Sequence, residues 1–215
     1  MTLDSLFTLR TATLLVLGSP GHPSQRDLFS QVPGLSVSCA TTRGAAPPYA
    51  LRAEMLSRAL EQYECRTVFV VQEPVALMHW TPWNGRGEPT APRHMGVREI
   101  TAMLLYMHRL VRTHGHAYAA PAAWRRGPSV VDWPTLLAPC PPLVAAYSAD
   151  ALRGMDSTRL LDGYLGHSLA SCGHKGFVMC DYLHAWTGGG EMLDEGGTTV
   201  GWRRSYDRFV RSMLA

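Results

Sequence analysis

Short uninterrupted apolar runs alternate along this chain with longer stretches in which apolar residues recur every three to four positions. Thr13 to Leu17 reads Thr-Leu-Leu-Val-Leu and ends at Gly18-Ser-Pro-Gly21. An apolar run that stops at Gly and Pro is how a strand buried on both faces meets a loop. A helix start follows, with Ser24 as cap and Asp27 three residues on, a short-armed capping box. Pro33-Gly34 stops that helix, and Leu35 to Cys39 then alternates apolar and polar positions as a short or edge strand does.

Ala50 to Gln62 carries a stripe of Leu51, Met55, Leu56, Ala59 and Leu60, with Arg52, Glu54, Arg58 and Glu61 largely off it. This pattern predicts a helix packed on a sheet. Thr67-Val-Phe-Val-Val71 is the next strand, closed by Gln72-Glu73-Pro74. Residues 78 to 96 predict a long loop anchored by Trp80 and Trp83. Val97 to Arg112 places Ile100, Met103, Leu104, Met107 and Val111 on one side of a second helix, which Gly115 ends. Ala117 to Ala120 predicts a fourth strand, and a proline-rich stretch runs from Pro121 to Pro142. Leu143 to Leu152 and Ser157 to Leu169 predict helices, Phe177 to Cys180 the last strand, and Trp202 to Leu214 a terminal helix. Strands and helices in alternation predict a single α/β domain over 1–215, a three-layer sandwich with a mainly parallel central sheet.

Composition narrows the class. At 46% apolar and 17% charged residues the chain has the balance of a packed globular protein and not of a disordered one. The net charge of +3 is modest, yet Lys175 is the only lysine among 20 basic residues, a skew that a GC-rich genome accounts for most simply. Arg203, Arg204, Arg208 and Arg211 would share much of one face of a terminal helix, which reads as a solvated face or as a contact to RNA or an acidic partner. Five cysteines without a CxxC pair argue against a disulfide framework, and the first apolar run is too short for a signal peptide or a membrane span. These features predict the cytoplasm or another reducing compartment, the mitochondrion included, and no membrane partner. The scattered His79, His94, His108, His114 and His116 read as surface or partly packed residues.

Candidate chemistry lies at the strand ends. Ser19 follows the first strand, Gly44 the second, and Asp181-x-x-His184 the last. In these motifs and in element order the chain resembles the SGNH (GDSL-type) hydrolases, including their PC-esterase branch. The resemblance implies a flavodoxin-like sheet, Ser19 as nucleophile, Gly44 at the oxyanion hole, and Asp181 orienting His184 as the base, the logic of a triad. The chain departs from that pattern at the nucleophile: Pro20 stands where the serine belongs and Ser19 where the aspartate does. Gln72-Glu73-Pro74 also replaces the family's Gly-x-Asn-Asp, and losing one oxyanion donor costs about 3 kcal/mol, a hundredfold or more in rate. The expectation is therefore an SGNH-like protein with impaired catalysis and no cofactor, acting as a structural or binding subunit among other protein subunits. The alternative is an active serine esterase or acyltransferase using Ser19, His184 and Asp181. Cys172, His174, Cys180 and His184, all within 13 residues, form a candidate zinc set that lacks the tight CxxC knuckle. The competing reading makes Cys180 a buried free thiol.

Overall fold

The computed structural model describes residues 8–18, 25–41, 48–62, 64–79, 93–123, 143–160 and 165–186. Among them, in chain order, are β1 (Ala12–Gly18), α1 (Arg26–Ser30), β2 (Ser36–Thr41), α2 (Pro48–Glu61), β3 (Thr67–Gln72), β4 (Val75–His79) and β5 (Arg93–His94). Then follow α3 (Val97–Thr113), β6 (Tyr118–Ala123), β7 (Val144–Ser148), α4 (Ala149–Arg153), α5 (Ser157–Leu160), α6 (Leu165–Ser171) and β8 (Gly176–Trp186). The strands form one sheet in the order β2-β1-β3-β7-β6-β8-β4-β5. The β1–β2, β1–β3 and β6–β8 ladders are parallel, whereas β3–β7, β6–β7, β4–β8 and β4–β5 are antiparallel. Six strands thus point one way, and only β4 and β7 are reversed.

Helices cover both faces, giving the three-layer α/β sandwich. Side chains alternate across a strand, and Leu14 and Val16 of β1 with Phe69 and Val71 of β3 pack against Phe29 of α1 and the apolar side of α3. Leu15 and Leu17 with Val68 and Val70 face the other way, onto α2, α4, α5 and α6. Burial on both faces is why these strands read as unbroken apolar runs.

Several local expectations are corrected. Leu143 to Leu152 is not one helix: Val144–Ser148 is β7, hydrogen-bonded between β3 and β6, and only Ala149–Arg153 is helical, capped by Ser148 accepting from the Ala151 N–H. Two sheet neighbours outweigh the weak helical preference of an alanine-rich pentapeptide. Helix α1 takes Gln25, not Ser24, as its N-cap residue. In α2 the buried side includes Arg52, which donates to the Leu160 carbonyl at 3.4 Å, while Leu51 and Leu60 are half-buried at its edges. The region read as a loop over 78 to 96 contains the end of β4 and all of β5.

Two features position the site. First, β1 continues through α1 to β2 on one side, whereas β2 continues through α2 on the opposite face to β3 on the other side. The sheet order 2-1-3 with helices on opposite faces opens a crevice between β1 and β3 at their C-terminal ends. Second, the sheet curls. Four interstrand steps separate β3 from β4 in the sheet, roughly 19 Å if flat, yet only three residues lead from Gln72 to Val75, a reach of about 10 Å. Val75 and Leu77 of β4 accordingly share one apolar core with Leu14, Val16 and Phe29. The register of β8 against β6 shifts between Pro121/Met179 and Ala122/Leu183, three extra residues on β8. Such an irregularity bends the strand that carries it.

Candidate functional site

Glu73 stands at the head of this crevice. Its N–H donates to the Leu17 carbonyl at 2.9 Å, carrying the β1–β3 ladder one residue past β3. The residue is only 2% exposed. A buried carboxylate is costly unless hydrogen-bonded, and Oε1 accepts from the Gln25 N–H just before α1. Oε2 faces the end of β1: a Cβ on Gly18 would lie 3.6 Å from it and 2.8 Å from Thr41 Oγ1. A side chain at Gly18 would thus press on the Thr41 hydroxyl where β1, β2 and the Glu73 carboxylate converge.

An open cleft of about 220 Å³ continues from Gln25 between α1, β4 and the start of α3, lined by Leu28, Val75, Leu77 and Ile100 among others. Helix α3 begins at Gly96, whose N–H is accepted by Glu99 Oε2 at 3.1 Å; Arg93 of β5 pairs with the same carboxylate and holds it below its usual range. Near the crevice Cys39 has its thiol pKa raised, by partial burial first and by Glu73 and Asp27, against the opposing charge of Arg26. Burial also raises the thiol of Cys65. Neither is activated as a thiolate nucleophile. The arrangement sets a buried carboxylate, held by the Gln25 N–H, against the side-chain-free Gly18. Among the described residues no three His, Cys, Asp or Glu side chains converge as a metal site.

No family model and no curated protein matches the chain. Its fold is similar to solved structures at low identity. One is the protein A197 from STIV, at 9% identity and a TM-score of 0.46 over 86% of each chain. A glycosyltransferase involved in glycosylation of the major capsid of PBCV-1 gives 10% identity and a TM-score of 0.45, over 95% of this chain and 99% of that one. CMP:2-keto-3-deoxy-manno-octonic acid synthetase, solved with CTP, gives 10% and 0.42, over 95% and 100%. Likeness this distant says nothing of chemistry.

The residues singled out from the sequence distribute differently. Asp181 and His184 do not lie in a loop beyond the last strand: both are within β8, where His184 is in register with Leu77 of β4 and Ala123 of β6. Their side chains lie outside the described residues, as do Ser19, Gly44, the side chain of Cys180 and Arg203, Arg204, Arg208 and Arg211. Of the zinc candidates, Cys172 and His174 are exposed in the turn between α6 and β8. His108, grouped among the surface or partly packed histidines, is fully buried, with Nδ1 2.8 Å from Thr67 Oγ1. Glu73 is the candidate that the sequence alone conceals, because there it reads only as a departure from an oxyanion motif. Its one local signal is a carboxylate directly after an apolar strand.

Proposed function

We propose that this chain is a ligand-binding α/β domain whose site is the crevice at the C-terminal ends of β1 and β3. It takes a hydroxyl-bearing ligand of the nucleoside or sugar class on the Glu73 carboxylate and does not work as a serine hydrolase. The observation that carries this reading is the buried Glu73 carboxylate set against Gly18. Open α/β sheets take their ligands at this topological position. A carboxylate only accepts, which matches it to the hydroxyls of such a ligand. The reading keeps a binding role, but for a small ligand at Glu73 and not for other protein subunits, and leaves Ser19, Asp181 and His184 to the alternative hydrolase.

The test is calorimetric titration with uridine, cytidine and adenosine, and with their diphosphates in the presence of Mg²⁺. At least one should bind. At a hundred times its Kd it should stabilise the fold by about 2.7 kcal/mol, a rise in melting temperature of roughly 5–10 °C. Glu73→Gln, equal in size but uncharged, should weaken that ligand about tenfold or more. No binding across the panel, or binding indifferent to Glu73→Gln, overturns the proposal. Fluorophosphonate labelling that disappears in Ser19→Ala would instead establish the hydrolase.

A further inference from the structure

The β2 side of the sheet is open in a way that β1 and β3 are not. Among the described residues β2 is the terminal strand of the sheet. Its register with β1 turns Cys39 and Thr41 to the face of α1 and Ser36 and Ser38 to the face of α2. All four side chains are exposed, and only Val37 and Ala40 are half-buried against the two cores. Exposure on both faces marks a strand at the rim of the molecule, where backbone N–H and C=O groups are offered to another strand. Natural edges are blunted by charge, proline, a bulge or extreme shortness. β2 has none of these: Ser-Val-Ser-Cys-Ala-Thr is uncharged and without proline, and it runs in unbroken register along β1 from Thr13↔Ser36 to Gly18↔Thr41.

We propose that this chain pairs with a second copy of itself through β2, the two strands antiparallel about a twofold axis at Cys39, so that the two sheets join into one. Residues opposed across an antiparallel ladder point to the same face, so a twofold axis must pass through a residue and not between two. At Cys39 it sets Val37 against Thr41 of the second copy, a β-branched pair of the kind that stabilises a ladder, and Ser38 against Ala40. The flanks match as well. Arg26 and Asp27 are adjacent exposed residues at the start of α1, and the charges of both act on the Cys39 thiol. The twofold axis therefore turns the base and acid of one copy toward the acid and base of the other, an electrostatic match that an unrelated strand would lack. Glu73 takes no part in the pairing, which stands or falls separately from the crevice reading.

Sedimentation velocity of the full chain should show a species of twice the monomer mass that grows, by mass action, between about 1 and 200 µM. The Cα atoms of an opposed antiparallel pair lie about 4.5–5.5 Å apart, within disulfide reach. Mild oxidation with diamide should therefore link the two copies through Cys39, seen in peptide maps, and not through Cys172, which is also exposed. Cys39→Lys sets two like charges face to face and should weaken the dimer about tenfold or more, as should Cys39→Glu. Mixing these two variants in equal amounts should restore it, because opposite charges then face each other. The link through the native Cys39 decides the matter if either variant fails to fold. A single-chain mass throughout the concentration range, an oxidative link through Cys172 in place of Cys39, a dimer indifferent to Cys39→Lys, or variants that do not pair on mixing each overturns the proposal.

Discussion

The two halves of the sheet are packed on opposite plans. The parallel half, β2-β1-β3, fills its layers with large side chains: Leu14, Leu15, Val16 and Leu17 in β1, and Val68, Phe69, Val70 and Val71 in β3, all buried. The mixed half has small ones at mid-strand where it meets the first, Ala119 and Ala120 in β6 and Ala145 and Ala146 in β7, each at most 3% exposed, flanked by the buried Tyr118, Val144 and Tyr147. The long helix α3 packs over β6 and β7 on the side of Ala119 and Ala146. Bulk therefore comes from the strands in one half and from the helix in the other. One half should be sensitive to losing volume and the other to gaining it.

The sharpest way to break this contrast is Phe69→Ala, a fully buried ring in the middle of β3. It should cost about 3–5 kcal/mol in urea unfolding through the cavity left behind; a loss below about 1 kcal/mol would show that the parallel half does not rely on strand bulk. Ala146→Leu in β7 makes the reverse change and should cost about 1–3 kcal/mol by overpacking under α3. A neutral result there would mean that α3 yields. Gly18→Ala tests the crevice rim. Its new methyl would meet Thr41 Oγ1 at 2.8 Å, a clash of about 1 kcal/mol that Thr41→Ala should relieve in the double variant.

The smallest effect lies at the opposite end of β6. Burial, then the charges of His114 and Lys175, hold the pKa of His116 below its ordinary value near 6.5. The unfolded chain therefore takes up a proton that the folded chain declines. Stability should fall as pH drops below about 6.5, level off once the folded form also protonates, and be unaffected above that range. His116→Leu should flatten the part of the urea-midpoint profile between about pH 7.5 and 5.5 that this residue contributes; an identical slope in the variant would remove His116 as its source.

Legibility in the sequence follows the same divide. β1, β3, α2 and α3 are visible because an unbroken apolar run fits little but a buried strand, and a three-to-four-residue stripe little but an amphipathic helix. β7 is hidden because Val-Ala-Ala-Tyr-Ser is as good a helix turn as a strand until β3 and β6 flank it. β4 follows a proline and has only five residues; β5 has two. The length of β8 is hidden too, since Asp181 to His184 is polar enough to read as a loop, yet Tyr182 to Trp186 pairs with β4. Arg52 follows the helical period but not its polarity, and its burial depends on α5, about a hundred residues away, whose Leu160 carbonyl accepts from it. At the site, the strand ends could be foreseen from Gly18 and from Gln72-Glu73. Which of them carries the polar group depends on Gln25 coming beside Glu73, and no local pattern announces that contact.

The short link from β3 to β4 also bears on the order in which the molecule assembles. Val75 leaves β3 at once, but its strand finds its principal partner only in residues 182–186, more than a hundred positions later. Closing a loop of that length is entropically expensive and slow. The wall of the cleft that β4 supplies is thus completed only when the distant β8 segment docks, well after β1 and β3 can meet. That wall therefore depends on a contact between segments far apart in sequence.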